Sequence, residues 1–214
     1  LRIAVVLAAF AIARDAPADP LREAHPCLET SLIATPPSIR VPHWAGVLEP
    51  VEVESVSSHA RASVRLYASD GSVDTKARDT FEQIVASTGE AHPLAVRLEQ
   101  LIVKAAYHFQ RARVLVLSGW RPHAGRHTSG EAIDFKLEGV RTAQLAAYLR
   151  RLPRAGVGVY THPRTQFVHL DVREPSYHWI DASPPGVKWP EAHLRDPSMN
   201  QRDASWTPDM DLPL

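Results

Sequence analysis

The sequence predicts an α+β fold, with a central, mostly antiparallel sheet flanked by helices. Three observations carry that expectation. Apolar residues make up 44% of the 214 positions, enough to build a core. They recur first at helical spacing and later at strand spacing, with one helix interrupting the strands. The 18 prolines cluster at the two ends. Seven lie between Arg14 and Pro50 and seven from Pro175 onward, leaving four in the middle, Pro93, Pro122, Pro153 and Pro163. Proline fixes φ and lacks an amide donor, so regular structure belongs in the middle.

The chain opens on Leu1-Arg2 and the apolar run IAVVLAAFAIA, ending in the triplet Ala11-Ile12-Ala13. A basic start, a short apolar stretch and small residues read as a signal peptide over 1–13. A short buried helix is the other reading. The run falls short of the roughly 17–25 residues of a membrane span. Residues 14–49 form a Pro-rich extended segment, and 50–182 the compact domain. The stretch from 183 to 214 reads as a loop-like, Pro-rich tail, pinned to the domain by Trp189 and Trp206.

Within the domain, Ser63 to Ala68 alternates as a strand and Ser69-Asp70-Gly71 supplies a turn. Thr75 to Ser87 places Ala77, Phe81, Ile84 and Val85 at helical spacing. A second helix starts at His92-Pro93, puts Leu94, Leu98, Leu101, Ile102, Ala105 and Phe109 on one face, and ends near Arg111. Arg113 to Leu117 is a short buried strand and Ala132 to Leu137 another. Thr142 to Leu152 is a helix stopped by Pro153. Val157 to Tyr160 and Phe167 to Val172 are the last two strands.

Composition excludes some functions. Lys and Arg total 24, as do Asp and Glu, so the basic footprint of a nucleic-acid binder is absent. The single cysteine, Cys27, rules out an internal disulfide and every multi-cysteine zinc site. Any bound metal must therefore take imidazole or carboxylate ligands, and the chain has 11 histidines.

Two stretches stand out. In HTSGEAID, His127 and Asp134 are seven residues apart, and the small Gly130 and Ala132 let the chain pass close to a metal. In FVHLDV, His169 and Asp171 share one face of a strand. Two imidazoles and a carboxylate make a three-ligand set for Zn²⁺, leaving a fourth position for water. Spacing alone does not single out this set among 11 histidines.

The ordered landmarks are more specific. Ser118-Gly119-Trp120-Arg121-Pro122 leads, then His127, Gly130, Ala132 and Asp134, then Gly156-Val157-Gly158, then Phe167-Val168-His169-Leu170-Asp171, with Trp179 beyond. With Gly89-Glu90-Ala91-His92-Pro93 upstream, this order resembles the zinc peptidases of the hedgehog/DD-peptidase superfamily, most closely the YcbK-like murein endopeptidase branch. The resemblance covers about residues 60–182. It implies a hedgehog/DD-peptidase-like sheet, with Zn²⁺ held by His127, Asp134 and His169. It implies that Arg121 sits at the rim and contacts a substrate carbonyl or carboxylate, which suits its planar fork. Ser118, Trp120 and Gln166 are expected on the substrate side.

Three departures from that pattern bear on mechanism. Gly125 stands where the family often has serine. The loop from Arg121 to His127 is short, which opens one wall of the cleft. Gln166 stands where a carboxylate general base is often found, and an amide cannot take a proton from water. Asp171 is then either the base or a group that orients a ligand imidazole. His123, His162 and His178 are further candidates for proton transfer.

The implied protein is an exported enzyme of the periplasm or cell envelope, without a stable membrane span once the signal is cleaved. Its substrate is a peptidoglycan stem peptide or cross-link. The cut bond, D,D or L,D, and the oligomeric state stay open. A zinc-binding or murein-binding module of weak catalytic power is the alternative, and a metal-free structural envelope protein a third.

Overall fold

In the computed structural model, which describes residues 42–86 and 89–213, eight strands build one mixed sheet. The signal-peptide stretch, Cys27 and most of the Pro-rich segment lie outside the described residues. Contacts divide the chain into 1–39 and 40–214, and everything described below belongs to the second unit. Its strands are β1 (Val51–Ser55), β2 (Arg61–Val64), β3 (Val114–Ser118), β4 (Ala132–Leu137), β5 (Ala155–Tyr160), β6 (Phe167–Val172), β7 (Tyr177–Asp181) and β8 (Ala192–His193). The helices are α1 (His43–Val47), α2 (Thr75–Val85), α3 (Val96–His108), α4 (Thr142–Leu149) and α5 (Met199–Ala204). The strand order is β2-β1-β3-β4-β6-β5-β7-β8. Only β1–β3 and β5–β7 pair parallel, so the sheet is mostly antiparallel, as expected.

The two faces of the sheet differ because side chains alternate along each strand. Ile133, Phe135, Val168, Leu170 and Val157 join one buried cluster with Leu98, Leu101 and Ile102 of α3 and Leu145 and Leu149 of α4. Asp134, His169 and Asp171 alternate with these residues and occupy the opposite face. The helices thus cover one side, and the polar residues of β4 and β6 have the other.

Several elements differ from the expected ones for local reasons. The first strand expected, from Ser63 to Ala68, is displaced: β2 ends at Val64, and Tyr67 makes an isolated bridge with Val73. Helix α2 starts as expected because Asp74 caps it, accepting from the Ala77 amide at 2.9 Å. Helix α3 starts at Val96, not at Pro93. The peptide groups before it are taken: Glu82 accepts the Leu94 amide at 2.9 Å, and Arg78 donates to the Leu94 carbonyl at 2.7 Å. The Ala95 amide reaches the Gly130 carbonyl at 2.9 Å, tying this segment to the loop before β4.

Gly130 is required there by its own backbone and by its approach to Pro93. Its φ is +71°, and a Cβ would sit 2.2 Å from the Pro93 carbonyl oxygen. Gly130→Ala is expected to cost about 2–4 kcal/mol from left-handed strain plus a backbone clash. Thermal or urea unfolding of the variant checks this.

The stretch read as a loop-like tail is more ordered than its prolines suggest. Strand β8 pairs with β7, and α5 and a 3₁₀ turn (Pro208–Asp211) follow. Asp203 accepts the Arg154 amide, the Ser176 amide and the Ser176 hydroxyl at 2.6–2.7 Å. Arg97 of α3 makes a two-point pair with Asp211 and donates to the carbonyls of Pro153 and Arg154. Trp206 does pin the segment: its N–H donates to Asp211, and Arg97 and Arg154 pack over its ring. Trp189 does not; it is half exposed.

Candidate metal centre

Strand register sets the centre. Asp134 on β4 and His169 on β6 are direct cross-strand partners. Opposed side chains on one face stand about 4.5–5.5 Å apart at Cβ, and here their polar ends meet. His169 Nδ1 lies 2.9 Å from Asp134 Oδ1. The 3₁₀ turn Gly125–His127 brings in His127, whose Nε2 is 3.2 Å from His169 Nδ1 and 3.6 Å from Asp134 Oδ1. One ligand atom from each residue falls within 4.8 Å of the others, and all three residues are buried.

The ring nitrogens are committed by their other partners. His127 Nδ1 lies 2.7 Å from the Gly119 carbonyl. A carbonyl only accepts, so Nδ1 carries the proton and Nε2 offers a lone pair to the group. His169 Nε2 lies 3.1 Å from Asp171 Oδ2, which leaves Nδ1 facing Asp134 and His127. Two imidazoles and a carboxylate, each turned inward by an outer partner, fit a divalent transition metal.

The local charges follow from the same arrangement. Burial alone would raise the Asp134 carboxyl, but hydrogen bonds and charge from His127 and His169 outweigh it and hold the group well below the usual range. Burial alone would lower His169, but Asp134 and Asp171 on its two nitrogens raise it.

Gly158 gives this row its space. It pairs with His169 on one side and Trp179 on the other. A Cβ on Gly158 would meet the Trp179 ring at 2.4 Å. The Trp179 ring lies over the residue's open side, 5.2 Å from the His169 ring.

The other expected residues separate. Arg121 is at the group: it donates to Asp134 Oδ2 at 3.1 Å and stays half exposed. Ser118 pairs with Asp134 through the strand backbone. Trp120 turns elsewhere, donating to the Thr128 carbonyl at 2.9 Å and stacking on His92 at 3.6 Å. Gln166 sits one residue before β6, with a left-handed φ of +36°. It lines a neighbouring groove with Lys136 and Tyr160. His178, adjacent to Trp179 on β7, points to the opposite face of the sheet.

Asp171 is fully buried, and its partners fill it. It meets the far nitrogen of His169, not the side that faces the group. Arg173 grips both its oxygens, and Arg126 approaches at 3.6 Å. Burial would raise its carboxyl, yet His169 and Arg173 hold it low. Arg173 was legible in the sequence, since the alternation of Asp171 and Arg173 puts them on one face.

A cleft of about 820 Å³ opens beside Asp134 and Arg121. Tyr160, Phe167 and Tyr177 line it from the sheet, and residues 183–189 and Glu191 of the C-terminal segment line the far side. Sequence reading missed this wall because its prolines and glycine show no period. Tyr160 stacks on Phe167 at 4.2 Å. Burial pushes its phenol up to about 12, helped by the charges of Asp134 and Glu191. It therefore keeps its proton at neutral pH.

A family model described as Peptidoglycan L,D-endopeptidase MepK matches residues 71–179, just over half of the chain. The chain belongs to this peptidase family. The MepK-family match spans all three residues of the group, from α2 to β7. Among curated proteins, Peptidoglycan L,D-endopeptidase MepK of Escherichia coli strain K12 is 40% identical over 53 residues. The proteins of that name from Escherichia coli O157:H7 and Shigella flexneri match to the same extent. The matched segment is 25% of this chain, and the chain spans 28% of the length of these relatives. No solved structure matches the chain significantly. Among the described residues no helix is long and apolar enough to cross a membrane.

Proposed function

We propose that this chain is an exported, zinc-dependent peptidase that hydrolyses peptide bonds in peptidoglycan stem peptides or cross-links. The bond is an L,D bond, as in the name of its relatives. One observation carries the reading: His127 Nε2, Asp134 Oδ1 and His169 Nδ1 converge beside an open cleft, each committed by a partner outside the group. The chemistry of the donor set fits Zn²⁺.

When bound, zinc supplies Lewis acidity that makes water a nucleophile near neutral pH. The chain's own residues do the rest. Gly119 and Asp171 fix the two ring orientations. Arg121 binds a carboxyl or carbonyl of the substrate at the rim of the cleft. The Tyr160 phenol, protonated at neutral pH, donates to the oxygen that gains charge when the peptide carbonyl is attacked. Phe167, Tyr177 and Trp189 hold the stem peptide and keep water from the scissile bond.

A base must still take a proton from water. Gln166 cannot, and Asp171 faces the far nitrogen of His169. Of the other carboxylates in the cleft, Asp181 is engaged by the Ser183 amide and hydroxyl. Glu191 is exposed, lines the cleft with Asp134 and lies near enough to Tyr160 for its charge to act there. Glu191 is the proton acceptor in this reading.

Asp171 has the positioning role. Asp171→Asn is expected to weaken zinc binding about 10–100-fold. Competition with a chromophoric chelator measures it. A variant that keeps full zinc affinity but loses turnover would instead make Asp171 the base.

The engagement of Asp171 on the far nitrogen of His169, with an amide rather than a carboxylate at Gln166, favours one second reading, a metal- and murein-binding module of weak catalytic power. Incubating the protein with muropeptides, with and without chelator, and weighing the products decides between them. New peptide fragments that disappear with chelator are the expected result. Bound but uncut muropeptides would establish the module.

A further inference from the structure

We propose that a pocket on the helix-covered side of the sheet, between α4, β7 and α5, binds a phosphate group. Four arginines line it: Arg150 and Arg151 just after α4, Arg195 after β8, and Arg202 of α5. Its volume is about 290 Å³, room for a phosphate with a small organic substituent. Asp196 is the one carboxylate in the lining and is already paired with Arg202 at 2.7 Å. Arg150 and Arg195 have no carboxylate partner among the described residues. Positive charge is therefore in excess.

The second observation is unmet hydrogen bonding at the floor. His178 is buried, and its Nε2 has no partner among the described residues. The Arg202 Nε is equally shut off from solvent and unpartnered, although its terminal nitrogens reach Asp196 and Ser198. Buried polar atoms in folded proteins are nearly always paired, and an unpaired one costs about 1–3 kcal/mol. Arg202 Nε–H is a donor and His178 Nε2 becomes one when it carries the ring proton, so under a rim of guanidinium groups they describe a site that an oxyanion completes.

A phosphate fits better than a single carboxylate. Its oxygens accept several forks at once, and the arginines arrive from three separate segments. The local field agrees. Burial, then the charges of Arg202 and Arg150, push the His178 imidazole down to about 4, against the opposing charges of Asp196 and Asp203. A bound dianion relieves that field.

Strand alternation separates this pocket from the metal group. Trp179 faces His169, so its neighbour His178 faces the other way. Occupancy of one therefore does not obstruct the other.

The test is an NMR titration of the full chain with inorganic phosphate at constant ionic strength, following the His178 imidazole. A saturable shift is expected, with His178 titrating at higher pH when phosphate is bound. The double variant Arg150→Gln/Arg195→Gln is expected to bind at least about tenfold more weakly. Arg195 is exposed, Arg150 is half-buried, and neither makes an ion pair among the described residues, so its melting temperature should hold. The absence of a saturable shift, an equal shift with chloride, or unchanged affinity in the double variant would overturn the proposal. A parallel titration with glycerol 3-phosphate separates the sources: tighter binding assigns a phosphomonoester, equal binding assigns free phosphate, and both support the site.

Discussion

His169→Ala is expected to abolish stoichiometric zinc binding and lower peptide hydrolysis by about three orders of magnitude or more. The size follows from the several kcal/mol of charge stabilisation that a Lewis acid supplies, at roughly 1.4 kcal/mol per tenfold in rate. His169 has this weight because it joins two layers. Its Nδ1 meets Asp134 and His127, and its Nε2 anchors on Asp171. Alanine removes one donor and leaves Asp171 facing Arg173 and Arg126 alone. Those two arginines keep the buried carboxylate paired, so the fold survives better than the site. Metal content per chain after mild purification, muropeptide turnover and circular dichroism together check the result. A folded variant that retains full turnover would overturn the metal reading.

Glu191→Gln is expected to keep zinc at one per chain and lower kcat about a hundredfold or more, the usual contribution of a positioned proton acceptor. Glutamine preserves size and hydrogen bonding but cannot take a proton. KM should change little, because Arg121 and the aromatic lining of the cleft remain. Unaltered kcat would return the base to another group in the cleft. The paired measurement on Asp171→Asn, which acts on zinc affinity, keeps the two carboxylates apart.

Legibility in the sequence followed the physics of each segment. Strands β4 and β6 were readable to the residue, because AIDFKL and FVHLDV alternate between a buried face and a polar one. The same alternation placed His169 and Asp171 together. It could not report that Asp134 lies opposite His169, since cross-strand register is a tertiary fact. Strand β1 was hidden in a Pro-rich neighbourhood, although VEVES alternates. Strand β7, YHWID, was hidden because it carries His178 on one face and Trp179 on the other and has little apolar contrast. Helix α3 was displaced at its start by side chains of α2 that claim the Leu94 peptide groups, contacts no local pattern encodes. The tail was misread because its order comes from Asp203, Asp211 and Trp206 binding distant partners. Glu191 went unseen with it, since it reaches the cleft only when β8 brings the segment back to β7.

The pairing of Asp134 with His169 across β4 and β6 would also make a metal ion bound there a witness to the fold. Side chains alternate with a period of two, so slipping either strand by one residue would turn its ligand into the apolar layer beneath the helices. A misaligned sheet can be collapsed and rich in strand signal yet lack a place for zinc. Uptake of a spectroscopic substitute such as Co²⁺ during refolding would then count only correctly threaded molecules, and would time the moment when the two strands find their alignment.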